Sequence, residues 1–176
     1  MEVWVEGMTR HAEERQSGDA LRWMAFIGLA LAVFAIDQAL KESVRSAFEP
    51  GEGVHLFGGY SIQHFQNPGV AGGGLDGRAL PLAVLALLAV LGLYEFLAQR
   101  GHARIPLLVG FGLLVGGGLG NLVDRARLGL VTDFIRNGER AFNVADLAIF
   151  AGGVVVLVAL VATLLRPRLQ PTSNGG

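Results

Sequence analysis

Three aspartates stand in the 31 residues from Gly116 to Asp146, GGGLGNLVDRARLGLVTDFIRNGERAFNVAD, between two long apolar runs. Carboxylates flanked closely by apolar residues are costly unless they pair, take up protons or do chemical work. Asp133 lies among Val131, Thr132, Phe134 and Ile135, and Asp146 among Val144, Ala145, Leu147 and Ala148. Asp124 instead has Arg125 beside it and Arg127 three residues on, which on a helix is a local counter-charge. Local environment therefore ranks Asp133 and Asp146 above Asp124. Two carboxylates brought close together cannot easily both ionise, so the pair titrates as a unit. Its ionised member can take a proton from an attacking water while its protonated member hydrogen-bonds to a carbonyl oxygen, and together they supply both halves of peptide hydrolysis without a covalent intermediate.

The elements that must position such a pair read as membrane spans. Hydrophobic residues make up 52% of the 176-residue chain and its mean hydropathy is +0.48, high for a soluble domain. A net charge of -1 implies no basic patch and no nucleic-acid partner. Cysteine is absent, which removes disulfides, thiolate metal sites and thiol nucleophiles. His11, His55, His64 and His102 lack metal-ligand spacing, so no metal and no cofactor is expected.

Residues 22–40 are nearly all apolar up to Asp37, and about 20 residues suffice to cross the hydrocarbon core. A secretory signal peptide is the rival reading. It predicts a shorter apolar core followed by a small-residue cleavage site, whereas this run meets Asp37, Gln38 and Lys41. Further spans are expected at 80–97, 105–123 and 145–165. Residues 1–21 are polar without an apolar period and read as a mobile cytoplasmic tail. Residues 22–166 form one four-helix unit, and 167–176 a C-terminal tail.

Between the first two spans, glycines punctuate residues 54–57 and 60–66, whose β-branched and aromatic content suggests a small strand pair; an ordinary connecting loop is the bland alternative. Open strands cannot lie in lipid, so this region belongs at the membrane surface, where an extended peptide could pair with an exposed strand edge. Gly112, Gly116 and Gly120 recur at every fourth residue, the small-residue pattern that lets helix backbones approach closely. Asn143 stands where the fourth span begins and suits a helix N-cap, leaving Asp146 in the first turn, where the helix dipole favours negative charge. That makes Asp146 the better placed of the two acids to carry a negative charge. Asp37 and Lys41, four apart, read as an intrahelical ion pair at the interface.

Several of these residues also carry a resemblance. G-N-L-V-D-R with G-L-V-T-D-F-I (Gly120 to Arg125, Gly129 to Ile135) and F-N-V-A-D (Phe142 to Asp146) resemble the two signature blocks of the lipoprotein signal peptidases, or signal peptidase II. D-x-x-x-K at Asp37 and Lys41 and N-x-G-x-A at Asn67, Gly69 and Ala71 extend the match in the same order. The resemblance implies an all-α membrane protein, four transmembrane helices with a small β-strand region at the outer surface between helices 1 and 2. It implies an intramembrane aspartic endopeptidase of the bacterial cell membrane with catalytic Asp133 and Asp146. Its substrates would be prolipoproteins cut before a diacylglyceryl-cysteine, with membrane lipid around it. Asn121, Arg125 and Asn143 take supporting roles, Asn67 and Gly69 face substrate, and Asp37 and Lys41 lend structural support. Lysines and arginines divide seven and seven between the two sides, so charge bias leaves orientation open and the resemblance alone implies cytoplasmic termini.

Two departures from the family pattern bear on substrate preference. Gly72 replaces a bulky aromatic, followed by Gly73 and Gly74, and the segment between Asp133 and Asp146 is short for the family. A small proton-coupled transporter is a competing class, since intramembrane acids also relay protons, but it predicts acids nearer mid-span and repeated helical halves. A catalytically silent lipoprotein-binding relative is a third, and retention of both acids argues against it.

Overall fold

A computed structural model of the chain describes residues 2–69, 79–99 and 105–165. Helices α1 (Glu2–Ala47), α2 (Ala79–Gln99), α3 (Ile105–Leu128) and α4 (Val144–Leu164) are joined by two hairpins. Strands β1 (Gly53–His55) and β2 (Tyr60–Asn67) lie between α1 and α2; β3 (Val131–Asn137) and β4 (Arg140–Phe142) lie between α3 and α4. Each helix holds a stretch long and apolar enough to cross a bilayer: Ala20–Ala47, Leu80–Ala98, Ile105–Leu128 and Val144–Thr163. The protein is a multi-pass helical membrane protein with a small antiparallel sheet. Ala71, Gly72 to Gly74, the loop around His102 and the 167–176 tail lie outside the described residues.

Two expectations change. Residues 2–21, expected to be without regular structure, are helical and continuous with the first span. The apolar segment supplies a helical nucleus, and adding residues to an existing helix costs far less than starting one. The strand pair is half of a four-stranded sheet in the order β1-β2-β3-β4. β2 pairs with β3 along most of its length and with β1 only at Ser61, Ile62 and Gln63, and β4 pairs with β3 only at Ile135, Arg136 and Asn137.

Helix α3 is the hub, packed against α1, α2 and α4. Its glycines make this possible on two faces. A Cβ at Gly116 would stand 2.6 Å from the Ala30 carbonyl oxygen and 2.8 Å from Val33, and one at Gly112 would meet Leu29 at 2.9 Å. On the α4 side, a Cβ at Gly110 would lie 2.7 Å from Val156 and one at Gly117 2.5 Å from the Ala145 carbonyl. The first stripe ends at Gly120, against the Asp37 side chain.

The bundle is apolar at one end and polar at the other. Far from the sheet, Phe26 stacks on Tyr94 with ring centroids 4.6 Å apart, Trp23 stands edge-on to both, and Phe111 closes the cluster. At the sheet end, α3 stops at Gly129, whose φ of 75° suits a residue without Cβ and whose N–H donates to the Arg125 carbonyl at 3.1 Å. The chain then turns into β3 and carries Asp133 back over the bundle.

Candidate active site

Asp133 sits in β3 and is only 1% exposed. Its side chain shares the sheet face of Ile135, since alternate residues point the same way. Both its oxygens accept hydrogen bonds, Oδ2 from Asn67 Nδ2 at 2.8 Å and Oδ1 from Asn143 Nδ2 at 2.7 Å. Asn67 ends β2 and is oriented by Gly69, whose N–H donates to Asn67 Oδ1 at 2.9 Å. Strand pairing brings these together: Asn67 lies opposite Val131 and Phe65 opposite Asp133.

Asp146 reaches the same place from the first turn of α4. Asn143 caps that helix, accepting from the Asp146 N–H at 2.9 Å, while Asp146 Oδ2 accepts from the Asn143 N–H at 3.2 Å. This reciprocal capping box satisfies two orphan N–H groups and fixes the Asp146 rotamer. Asp146 Oδ1 accepts from Asn121 Nδ2 at 2.8 Å. The two acids thus share Asn143, and each has a second asparagine of its own.

Burial pushes the Asp133 carboxyl up to about 6 from its ordinary 3.8, and the nearby Asp146 charge pushes the same way; hydrogen bonds from Asn67 and Asn143 and the charge of Lys41 pull against both. A carboxyl so placed holds a proton in a pH range where ordinary aspartates are ionised.

Beneath the pair lies a charge-balanced cluster. Lys41 is fully buried and spends its three N–H donors on Asp37 at 2.8 Å, Asn121 Oδ1 at 2.9 Å and Asp124 at 3.2 Å. Asp37 is more than an intrahelical partner, because its Oδ1 also accepts the Ala145 N–H of α4 at 2.9 Å. Asp124 takes its counter-charges from α1, Lys41 at 3.2 Å and Arg45 at 3.6 Å, not from Arg125 and Arg127. That corrects the local reading of Asp124: close packing of α1 on α3 supplies cations the sequence neighbourhood does not show. Two carboxylates and two cations offset one another, the condition under which buried ions are tolerable. Arg125 donates to the Asn121 carbonyl at 3.1 Å and, among the described residues, forms no ion pair with either aspartate.

Sequence reasoning missed Gln38, Arg45 and Thr132. Gln38 bridges α1 to α3 through the Gly120 carbonyl at 3.1 Å and Asp124 at 3.3 Å. Asp37, Lys41 and Arg45 form a polar stripe at every fourth residue, which was the available signal for Arg45. A cavity of about 750 Å³ lies on the opposite face of the sheet, lined by His55, Ser61, Gln63 and Arg136, and holds neither acid. Among the described residues no group of three or more histidines, aspartates or glutamates could hold a metal ion.

A family model described as signal peptidase (SPase) II matches residues 29–162. The chain belongs to the signal peptidase II family. It is 37% identical over 139 residues to the lipoprotein signal peptidase of Moorella thermoacetica, covering 76% of this chain and 90% of that one. It is 36% identical over 161 residues to that of Solibacter usitatus, covering 85% and 95%. Among solved structures, a bacterial membrane enzyme at 2.3 Å resolution superposes with a TM-score of 0.71 at 24% identity, covering 83% of this chain and 93% of that one. Its likeness concerns the fold. Within this signal peptidase II chain, the matched segment takes in Asp37, Lys41, Asn67, Gly69, Asn121, Arg125, Asp133, Asn143 and Asp146.

Proposed function

We propose that Asp133 and Asp146 are the catalytic pair of an intramembrane aspartic endopeptidase that removes the signal peptide from diacylglyceryl-modified prolipoproteins, cutting just before the lipidated cysteine. The observation that carries this reading is the pair of unequal carboxyls bridged by Asn143: Asp133 buried and raised toward neutrality, Asp146 at a helix N-terminus between two hydrogen-bond donors. Difference of environment assigns the roles. Asp146, in the first turn of α4 with a donor on each of its oxygens, acts as general base. Asp133 holds the proton.

In the reaction, Asp146 takes a proton from water as the water oxygen bonds to the scissile carbonyl carbon, and Asp133 hydrogen-bonds to the carbonyl oxygen as negative charge develops there. Asp133 passes its proton to that oxygen, giving a neutral gem-diol. On collapse, the C–N bond breaks, the proton held by Asp146 goes to the leaving amine, and a gem-diol proton returns to Asp133. Asn67 and Asn143 hold Asp133 throughout, and Asn121 and Asn143 hold Asp146. Lys41 and Asp37 keep the helices beneath them in register, and Arg125 braces the Asn121 carbonyl.

The pair lies where α1 and α3 end and α4 begins, directly beneath the sheet. A substrate with its acyl chains in the bilayer and its peptide crossing the surface would bring the scissile bond there. Both termini would face the cytoplasm of a bacterium and the sheet the outer side of its cell membrane. The test is cleavage by purified protein in lipid of one precursor with and without diacylglyceryl modification, with the product N-terminus read by mass. Cutting only the modified form, immediately before its cysteine, is the expected result; cutting elsewhere or without lipid dependence contradicts it.

A further inference from the structure

Thr132, immediately before Asp133, is fully buried, and each of its three polar groups is engaged by a different helical segment. Its N–H donates to Asp124 Oδ2 on α3 at 3.0 Å, its Oγ1 accepts from Arg45 Nη1 on α1 at 3.0 Å, and its carbonyl accepts from Asn143 Nδ2 at the head of α4 at 3.4 Å. Arg45 is itself braced, with Nε and Nη2 on Glu42 at 3.1 and 2.9 Å and Nη1 3.6 Å from Asp124. Burying a hydroxyl is unfavourable unless it is bonded, and an apolar side chain of the same shape would fill the space without that cost. The hydroxyl therefore does something a methyl group would not.

The sheet pairs Val131, Thr132 and Asp133 with Asn67, Gln66 and Phe65 and breaks register just beyond Asp133. The β2–β3 register shifts between Ile62 and Phe65, so the ladder is irregular opposite the stretch from Ile135 to Asp133. A planar peptide bond joins Thr132 to Asp133, and whatever fixes the first orients the second. We propose that Thr132, gripped through its hydroxyl by Arg45, is the positioning residue that sets the Asp133 carboxyl against Asp146, Asn67 and Asn143. This rests on the reading of Asp133 and Asp146 as the catalytic pair.

The test uses full-length protein carrying Thr132→Val, Thr132→Ser, Arg45→Met and the Thr132→Val/Arg45→Met double change. Thr132→Val is expected to lower kcat about tenfold or more with KM little changed, since misplacing a reacting group slows the chemical step without weakening binding. Serine, which keeps the hydroxyl, restores turnover. The double variant is no slower than Arg45→Met alone, because both changes remove one contact. A second readout needs no substrate: titration of the Asp133 carboxyl by infrared difference spectroscopy, with Asp133→Asn used to assign the band. In Thr132→Val its midpoint moves up, as the Asn67 and Asn143 donors lose alignment with the carboxylate while Asp146 and Lys41 stay in place. Thr132→Val protein that melts earlier but keeps wild-type kcat and wild-type Asp133 titration overturns the proposal. If the wild type cuts no lipid-modified precursor, the functional reading fails by itself, and the titration decides the positioning role.

Discussion

Asn143 and Asp133 are joined by a 2.7 Å hydrogen bond from Nδ2 to Oδ1, and the same asparagine caps the helix that carries Asp146. One residue thus performs two separable tasks. Capping needs only a side-chain oxygen; holding Asp133 needs a side-chain N–H that reaches it.

Asn143→Ser separates those tasks. Serine caps helices about as well as asparagine, while alanine costs about 1 kcal/mol at such a position. Thermal unfolding should therefore find the serine variant close to wild type and the alanine variant lower. Both should lose kcat about a hundredfold, because neither replaces the Nδ2 donor. A serine variant with wild-type turnover removes Asn143 from the site.

Acidity gives the second prediction. In the proposed mechanism Asp133 acts in its protonated form, and burial pushes its carboxyl up to about 6, so kcat/KM should fall as pH rises through that region. Stability follows the same group. Its folded pKa lies above the unfolded value of 3.8, so the stability held at low pH is present in full below about pH 4 and is lost as pH rises through about 6. The amount is on the order of 3 kcal/mol, from roughly two pH units at 1.36 kcal/mol each. Melting curves at several pH values should show this slope in wild type and its loss in Asp133→Asn.

Packing gives the third. Gly116→Ala places a methyl group 2.6 Å from the Ala30 carbonyl oxygen, where backbone must give way, whereas Gly118→Ala meets only Leu87 at 3.4 Å. The first should destabilise by about 1–3 kcal/mol and reduce activity, since it forces apart the helices that carry Lys41 and Asn121. The second should leave both unchanged. Thermal unfolding and turnover of the two purified variants decide it, and equal behaviour would remove the glycine seam as a determinant of the site.

Much of this was legible because local rules set it. Apolar runs of bilayer length gave the four spans, the glycine repeat pointed to a close helix approach without naming α1 as the partner, and Asn143 read as a cap from its position alone. What stayed hidden depends on partners far apart in sequence. The β3–β4 hairpin escaped because Val131 to Ile135 is short and interrupted by Thr132 and Asp133, and its pairing with β2 bridges some 66 residues, as the Asn67–Asp133 bond illustrates. Asp124 looked satisfied by its sequence neighbours, yet its cations come from α1. Residues 2–21 lack the apolar period of a packed helix but continue one already formed.

The most direct test of the catalytic assignment compares wild type with Asp133→Asn and Asp146→Asn on a diacylglyceryl-modified prolipoprotein, each variant first shown to be folded by its melting curve. Each change removes one ionisable group at nearly constant size. The assignment predicts that wild type cleaves before the modified cysteine and that neither folded variant yields measurable product. Substantial cleavage by either one would show that the chemistry does not run through this pair.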